Sequence, residues 1–404
     1  MRRAVQVPLT LLFGLLAAAC TDAREVTSPT TPDLQARREV TIAALGGPIG
    51  GLSSAQLASF QRGQEQFERA FIQSTGLGPT FNASSCVECH GEEEGPVGGT
   101  GDEVETHFTN VRLDGTCDEL ESKGGFVHQD SVTPRLFNAT GLTEEPFPST
   151  THQRGARTTP DIFGFGLIAS IPNSAIINQA DPNDANGDGV SGRVHYDANN
   201  DVGKFGRKAQ EGSITLFNAG ALVAEMGITN KHNLTENSIG GAAIPFGVDP
   251  TPEPEIASAD FDDLNNFVIF LAPPPPVALT SQTAAGRDLF NAIGCATCHT
   301  PQYTTTDVGI AALSFKTVRP FSDFLLHDMG RNDICLFQAR RTEIRTEPLM
   351  GARFMEQFMH DGAATTITGA INLHGGEGSR ARSRFFNNLT STQQQAVVAY
   401  VLSL

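Results

Sequence analysis

The chain has 404 residues, a length that accommodates two domains and a linker. It carries 45 acidic and 28 basic residues, and the resulting net charge of −17 argues against nucleic acid as a partner, which requires a basic surface. A negative field of this size is compatible with a basic protein partner or with a neutral small molecule. The 41 glycines predict long loops, and tryptophan is absent.

The first 19 residues have the pattern of an export signal. Two arginines precede an apolar run, residues 7–19, which is too short to cross a bilayer. Small residues lead up to Cys20, as in a bacterial lipobox, although alanine stands where leucine is commoner. We therefore predict a signal peptide over residues 1–19 and a lipoprotein anchored to a membrane through Cys20, in the bacterial periplasm or cell envelope. The alternative is plain cleavage after Ala19, which leaves Cys20 as a free thiol.

The rest of the chain divides around a run of prolines. Residues 20–39 are polar and rich in Thr, Ser and Pro, which predicts a tether. The prolines cannot continue a helix, so residues 273–277 are predicted as a stiff linker. This linker separates a first domain, residues 40–272, from a second domain, residues 278–404.

The two predicted domains share an internal repeat. The segment Gly63–Phe67 corresponds to Gly286–Phe290. Both segments predict a helix that leads into a short cysteine-containing motif present in each domain. Each domain also closes with an apolar-periodic helix, predicted over residues 261–271 and 392–402. The first domain is longer, because it contains Gly-rich acidic segments that we predict as loops: residues 91–125 and 181–203.

The pentapeptide Cys-x-x-Cys-His follows the repeated helix in both domains. Its residues are Cys86, Cys89 and His90 in the first domain, and Cys295, Cys298 and His299 in the second. This motif attaches c-type haem, because two thiols about one turn apart form thioethers with one porphyrin while the adjacent histidine binds the iron. A zinc or redox CxxC site is the alternative. We predict two covalently bound haem c groups, haem 1 and haem 2, in a mainly α fold of two cytochrome c-like domains with long loops.

Two further cysteines, Cys117 and Cys335, have no assignment from these motifs. An exported protein meets an oxidising environment, which allows a disulfide between them. Such a bond would tie the two haem regions together, but the sequence leaves open whether the two cysteines pair.

Several further segments carry a family likeness by their order and spacing. They are GLGPTFN at 76–82, the glycine-rich run at 187–206, EMGIT at 225–229, SDFLLHDMG at 322–330 and HDG at 360–362. With them the chain resembles the bacterial di-haem cytochrome c peroxidase superfamily, and most closely its di-haem oxidoreductase branch, also called thiol oxidoreductases. The likeness extends from Gly63 to the C-terminus.

The resemblance implies a sixth ligand for haem 2. In the superfamily this ligand lies fourteen residues after the histidine of the His-Asp-Gly segment, and here that position is His374, where peroxidases usually have methionine. Imidazole lowers a haem potential relative to thioether, so haem 2 is expected to be low-spin and electron-storing with two histidine ligands. The alternatives are His360, His327 and Met329.

For haem 1 the resemblance implies a displaceable histidine shortly before an Arg-x-x-Pro segment. Here His152 precedes residues 157–160 and is the expected distal ligand. A labile or absent ligand matters, because peroxide or oxygen binds only at an open iron position. His107 and His128 are expected to be ordinary exposed loop residues.

The superfamily also uses a glutamate followed by methionine as the acid that moves a proton during O–O cleavage. Glu225 and Met226 match this pair, and a solvated helix glutamate is the alternative. One departure is the missing tryptophan, which the superfamily often places between the haems; Arg207 stands close to that place.

Residues 184–190 are predicted to form either a calcium site or an ordinary Asp/Asn/Gly turn, with equal weight. Asp184, Asn186, Asp188 and Val190 occupy the alternating ligand positions of an EF-like loop, with glycine at the sixth position. Position 12 is His195 rather than glutamate, so the segment is not an EF-hand.

Together these features predict an exported di-haem oxidoreductase of peroxidase type. A small oxidant such as hydrogen peroxide would react at haem 1, and a small redox protein would exchange electrons through haem 2. The alternative is a non-catalytic electron-transfer cytochrome that serves another membrane-anchored redox system. A third possibility is an oxygenase that acts on an organic substrate at haem 1.

Overall fold

The computed structural model describes residues 45–91, 97–101 and 103–404. The predicted signal peptide, Cys20 and the predicted tether lie outside the described residues. Helices account for 33% of the chain and short strands are distributed among them, so the fold is mixed helix and sheet rather than mainly α as predicted. In the part of the chain that the structure describes, no helix is both long enough and apolar enough to cross a bilayer.

The α-helices of the described residues are α1 (Ser54–Glu68), α2 (Cys86–Cys89), α3 (Pro134–Thr140), α4 (Phe165–Ala169), α5 (Asn173–Ile177), α6 (Ile214–Met226), α7 (Ser258–Phe270), α8 (Ser281–Ile293), α9 (Ile367–Leu373), α10 (Ser379–Asn388) and α11 (Ser391–Val401). The predicted closing helices are confirmed as α7 and α11. Short 3-10 turns connect several of these elements.

The strands are β1 (Thr80–Phe81), β2 (Val104–Val111), β3 (Cys117–Asp118), β4 (Ser131–Val132), β5 (Gln153–Thr158), β6 (Tyr303–Thr304), β7 (Thr317–Val318), β8 (Leu326–Asp328) and β9 (Glu343–Arg345). They form one three-stranded sheet, in the order β3-β2-β5, and the two-stranded pairs β1-β4, β6-β7 and β8-β9. All of these pairings are antiparallel.

Three of the long helices begin with the same local signal. The side chains of Ser53, Thr280 and Thr390 each accept the backbone N–H three residues ahead, and the side chain at that position bonds back to the cap. This capping box satisfies two backbone groups that a helix start otherwise leaves unpaired. It therefore defines the starts of α1, α8 and α11 from local sequence alone.

The repeated glycines of the sequence lie where two helices cross. Helix α1 packs on α7, and helix α8 packs on α11. A Cβ atom on Gly63 would lie 1.9 Å from the carbonyl oxygen of Asp263, and one on Gly286 would lie 1.9 Å from that of Ala396. Only glycine allows the backbones to approach this closely. The repeat thus encodes one helix-pair frame twice.

The first predicted loop segment, residues 91–125, contains a strand instead. Strand β2 pairs with β5 over six residues, and β3 pairs with the last two residues of β2. Alternating residues on β2 face opposite sides of this sheet. The prediction of a loop was wrong here. Glycine-rich segments flank the eight-residue strand β2, and its partner β5 lies about 50 residues later in the chain, so the local sequence did not indicate the pairing.

A disulfide and a buried ion pair attach this sheet to the C-terminal part of the chain. Cys117 on β3 is bonded to Cys335, with Cα atoms 5.8 Å apart, which answers the pairing question that the sequence left open. Two residues earlier, Asp333 accepts two hydrogen bonds from Arg157 on β5, at 2.9 and 2.8 Å. The segment around residues 333–335 therefore holds both outer strands of the sheet.

The largest hydrophobic core crosses the proposed domain boundary. It joins Phe67 and Phe267 of the first predicted domain to Tyr303, Phe324 and Met350 of the second. A smaller core lies between α8 and α11. The boundaries at 272 and 278 stay a prediction, but the two regions share apolar packing and do not merely sit at the ends of a linker.

Candidate haem sites and the cavity between them

The four motif cysteines lie on short helical turns. Cys86 and Cys89 begin and end α2, and Cys295 opens a 3-10 turn that ends at Cys298. Burial raises the pKa of Cys86 and of Cys295 to about 12. These groups therefore remain thiols at neutral pH, whereas metal ligation or disulfide exchange requires thiolates. A redox CxxC pair has a lowered thiol pKa, so these raised values favour the haem prediction over the redox alternative.

The two motif histidines are oriented in the same way. His90 donates from Nδ1 to the carbonyl oxygen of Pro160 over 3.0 Å, and His299 donates to that of Phe321 over 2.9 Å. A backbone acceptor on Nδ1 leaves Nε2 as the nitrogen for a metal. Burial lowers the pKa of each histidine to about 4, so both rings are neutral, as a metal ligand must be.

The repeated phenylalanines support these rings. Phe67 of α1 lies 6.1 Å from His90 between ring centres, and Phe290 of α8 lies 6.3 Å from His299. The planes are tilted by 54° and 53°, respectively. The proximal sides of the two candidate haem sites are therefore near copies, as the internal repeat predicts.

On the distal side, the second site brings His374 to His299. Their ring centres are 6.5 Å apart. Two imidazoles that bind one metal through bonds of about 2 Å place their ring centres about 6 Å apart, so this pair fits a shared iron. His374 donates from Nδ1 to the carbonyl oxygen of Ala370 at 2.8 Å, which leaves its Nε2 available as well. Met329 is a neighbour of His374, since both approach Gly378.

The other candidate histidines of the second site have different partners. His360 is buried 3.9 Å from an oxygen of Asp333, and its backbone carbonyl accepts the N–H of Thr158. His327 lies between two carboxylates, 2.9 Å from Asp323 and 2.7 Å from Glu377. Neither ring faces His299 as His374 does, so the geometry gives no support to these alternatives.

His327 is instead a buried cation beside the second motif. Burial alone would lower its pKa, but hydrogen bonds to Asp323, Cys298 and Glu377 raise the pKa of His327 to about 12. This charge could not be predicted from the sequence, because the partners of His327 come from three separate segments. Glu377 also accepts from Ser191, so the His327 cluster connects the motif, the His374 loop and the glycine-rich run.

The first site has no counterpart of the His299–His374 pair. All ten histidines of the chain lie in described residues, and none has its ring as close to His90 as His374 is to His299. His152 does not reach this site: it is exposed just before β5, and its Nδ1 bonds to Asn110. The structure thus does not bring together His90 and the distal ligand that the resemblance implied.

A large cavity lies beside the first motif. Its volume is about 730 Å³, within the range of pockets that hold cofactor-sized ligands. Pro160, the partner of His90, is part of its wall, and Phe163, Phe205 and Phe217 give it an apolar lining. Its polar groups are Glu105, His107, Arg157, Arg207 and Glu225. Exposed Glu121 also lines the cavity, so it extends to the protein surface.

Glu225 lies in this cavity, near the C-terminal end of α6. Its Oε2 accepts a 2.8 Å hydrogen bond from the amide of Asn82, and its carboxyl shares a hydrogen bond with Glu105. Burial, and after it the Glu105 carboxyl, raise the pKa of Glu225 well above its usual range. Burial thus favours the protonated form of Glu225, which is not the solvated helix glutamate of the alternative.

Arg207 is part of the cavity wall beside the first motif. It forms an ion pair with Glu347 at 2.8 Å and donates to the carbonyl and hydroxyl of Thr158. Glu347 also pairs with Arg345 at 2.9 Å. The Nε atom of Arg207 is buried without a hydrogen-bond partner. A free guanidinium N–H in the cavity wall fits a carboxylate-bearing cofactor such as haem, whose propionates accept such bonds.

Two histidines that the sequence assigned to exposed loops are buried. His107 lies on β2, inside the cavity, with its Nε2 2.5 Å from Glu105. His128 stacks on Phe147 at 4.0 Å and bonds to the carbonyl oxygen of Glu145. The expectation was wrong because their segment was taken as a loop. A signal was present in the sequence: Glu105 and His107 are two residues apart, and residues with this spacing lie on the same face of a strand.

The predicted calcium loop is an exposed turn whose side chains bind its own backbone. Asp184 accepts the N–H of Gly189, Asn186 accepts that of Asp188, and Asp188 accepts that of Val190. These bonds are typical of an Asp/Asn turn. Side-chain oxygens that a calcium ion would use as ligands thus accept backbone hydrogen bonds in this structure, and calcium binding stays a prediction.

Two Cys-x-x-Cys-His loops with correctly oriented histidines, the first of them beside a cofactor-sized cavity, define a redox protein that holds two haems. The chain belongs to the family described as "Di-haem oxidoreductase, putative peroxidase", whose model matches residues 147–404. This confirms the resemblance drawn from the sequence. No curated protein is significantly similar in sequence to this chain.

Two solved structures align with most of this chain at low sequence identity. One is hydrazine synthase of Kuenenia stuttgartiensis pressurised with xenon, with 13% identity and a TM-score of 0.41 over 99% of this chain and 100% of that chain. The other is a MauG-like protein associated with microbial copper homeostasis, with 14% identity and a TM-score of 0.38 over 88% of this chain and 92% of that chain.

Proposed function

We propose that this protein is an exported di-haem c-type oxidoreductase that reduces a small oxidant such as hydrogen peroxide. The observation that carries the proposal is the difference between the two distal sides. His374 faces His299 at 6.5 Å, whereas His90 faces no histidine and adjoins a cavity with acidic groups. One iron would then be saturated and suited to store electrons, and the other would keep a position for a ligand.

Both haems are proposed to be covalently attached, at Cys86 and Cys89 and at Cys295 and Cys298. Two thiols about one helical turn apart, directly before each motif histidine, support this assignment. Bound haem supplies electron transfer and a ligand position at iron. The disulfide between Cys117 and Cys335 is consistent with an oxidising compartment such as the bacterial periplasm, where we place the protein as a lipoprotein anchored through Cys20.

The chain's own residues would manage protons and orientation. Glu225 is held by Asn82, and burial and Glu105 raise its pKa, which favours its protonated form. It is therefore suited to give a proton to the leaving oxygen of a peroxide. The apolar side chains of Phe163, Phe205 and Phe217 in the wall lower the local polarity and so strengthen this interaction.

The electron donor is proposed to be a small redox protein that delivers electrons to the haem 2 side. The net charge of −17 favours a basic partner, because opposite charge accelerates encounter. Ion pairs of Glu347 with Arg207 and Arg345 hold together the segments that line the cavity. No tryptophan exists to relay electrons, so transfer depends on the separation of the haem edges.

The test is carbon monoxide binding to the fully reduced protein, followed by reaction of the half-reduced protein with hydrogen peroxide and a reduced small redox protein. We expect carbon monoxide to bind one haem of two and peroxide to oxidise the protein. Binding to neither haem, with no peroxide-dependent oxidation, would establish the electron-carrier alternative. Carbon monoxide binding without any reaction with peroxide would point to a different small oxidant or an organic substrate.

A further inference from the structure

We infer that Glu105 and His107 extend the acid at Glu225 into a three-residue proton relay that refills the cavity after each turnover. The inference deepens the proposed function and rests on it for the reaction, but not for the protonation of the groups. Strand β2, which carries both residues, lies before the segment that matches the family model. Glu105 and His107 therefore lie outside the part of the chain that the family model matches, whereas Glu225 lies within it.

The three side chains form a continuous hydrogen-bonded series. Asn82 donates to Oε2 of Glu225 over 2.8 Å, and the carboxyl of Glu225 shares a hydrogen bond with that of Glu105. The Oε1 atom of Glu105 lies 2.5 Å from Nε2 of His107. All three relay residues line the same cavity as Arg157. The series therefore starts at an acid in the cavity and ends at an imidazole.

The position of the relay follows from the register of the sheet. Glu105 and His107 are two residues apart on β2, so their side chains point to the same face. Glu105 is directly opposite Arg157 of β5, which brings that guanidinium to the same wall. The bond from Cys117 to Cys335 and the ion pair of Arg157 with Asp333 then hold both neighbouring strands.

The surrounding charges decide where the proton resides. Burial raises the pKa of Glu105, and burial followed by the Arg157 guanidinium lowers the pKa of His107 to about 3. The imidazole is therefore neutral, and burial favours the protonated form of both carboxyl groups. The other charged groups that act on the relay are Arg207 and Asp333, from loops packed against the sheet.

The chemistry requires such a supply. Reduction of hydrogen peroxide to two water molecules breaks the O–O bond and consumes two electrons and two protons. The electrons originate from the reduced redox protein of the proposed function. Glu225 gives its proton to the leaving oxygen, and Glu105 then reprotonates Glu225. The neutral imidazole of His107, hydrogen-bonded to Oε1 of Glu105, provides the path by which Glu105 regains a proton. An imidazole can bind a proton at one nitrogen and release one at the other.

The test compares Glu105→Gln and His107→Gln with Glu103→Gln. Glu103 is exposed at the start of the same strand and makes no contact with the cavity, so its variant is the matched control. The first readout is the infrared carbonyl band of protonated carboxylic acid in the resting holoprotein, titrated with pH. We expect this band at neutral pH in the parent protein, a changed intensity and titration in both relay variants, and no change in Glu103→Gln.

The second readout is the pH profile of peroxide reduction. An acid with a raised pKa is active below that pKa and loses its proton as the pH rises through it, so the rate should fall on the alkaline side. Replacing Glu105 or His107 should move this alkaline limb and slow multiple turnover more than the first turnover. Relay variants whose infrared titration and alkaline limb both match Glu103→Gln would overturn the relay. If the parent protein does not reduce peroxide, the proposed function fails while the infrared titration still decides the shared proton.

Discussion

The two candidate haem sites are alike on one side and different on the other. Behind each motif histidine lies a helix pair that crosses at a glycine, Gly63 or Gly286, and a phenylalanine at the ring. In front of His299 lies His374, but in front of His90 lies a cavity. The repeated segments therefore define how each haem would be held, and the segments outside the repeat define what each iron would do.

The distal difference also has a charge component. The second site is bordered by the buried imidazolium of His327 between Asp323 and Glu377, which is a fixed hydrogen-bonded cluster. The first site contains Glu105 and Glu225, carboxyl groups whose pKa values burial raises. A fixed cluster suits a site that only changes its redox state, whereas protonated carboxyl groups suit a site where protons are consumed.

The largest expected effect comes from removing one attachment motif at a time. Cys86→Ala with Cys89→Ala, or Cys295→Ala with Cys298→Ala, should lower the haem content from two per chain to one. Absorbance of the pyridine haemochrome against protein concentration measures this ratio. If either double variant retained both haems covalently, the motif assignment would be wrong for that site.

Replacing the cavity acid should impair only the first site. General acid–base assistance typically contributes about 10²–10⁴-fold in rate, so Glu225→Gln should slow peroxide reduction by that order. Both haems should remain bound, and the spectrum of the second haem should not change. Steady-state rates with a reduced redox protein provide the measurement, with Glu103→Gln as the control. Equal rates in the two variants would move the acid elsewhere in the cavity.

Breaking the covalent link should test how strongly the two regions depend on each other. Cys117 and Cys335 are 218 residues apart, and loss of a native disulfide costs about 2–5 kcal/mol. Cys117→Ser with Cys335→Ser should therefore lower the unfolding temperature, and the sheet that carries Glu105 should exchange its amide hydrogens faster. Calorimetry and hydrogen exchange measure the two effects. Unchanged exchange in β2 would show that the Arg157–Asp333 pair suffices.

The haem 2 ligand can be exchanged without altering the first site. His374→Ala should convert a low-spin haem into a five-coordinate or water-bound species, whereas His374→Met should keep it low-spin and raise its potential, because thioether favours the reduced iron. Electron paramagnetic resonance and redox titration separate the outcomes. An unaltered low-spin signal in His374→Ala would transfer the assignment to Met329, its neighbour at Gly378.

The smallest effect is expected at His152. Its ring is exposed and bonds to Asn110, outside the cavity wall. His152→Ala should therefore leave the spin states, carbon monoxide binding and peroxide reduction close to those of the parent. A new high-spin signal in this variant would instead support the resemblance, and it would mean that the segment before β5 moves when haem is bound.

The sequence by itself determined those features that depend on neighbouring residues. The two Cys-x-x-Cys-His motifs, the capped helices and the glycine at each helix crossing are local patterns. For the same reason the repeat correctly predicted that His90 and His299 have equivalent surroundings on their proximal sides. The match at Glu225 was also readable, because the family likeness carries the residue and its methionine together.

Only the tertiary structure decided the distal sides. His107 was taken for a loop residue and His152 for a ligand, because strand β2 and its partner β5 are distant in sequence and their pairing cannot be seen from either segment alone. The pKa values of Glu105, Glu225 and His327 likewise depend on burial and on partners from separate segments. Burial and long-range electrostatics are properties of the packed chain, and they make two similar haem motifs into two different sites.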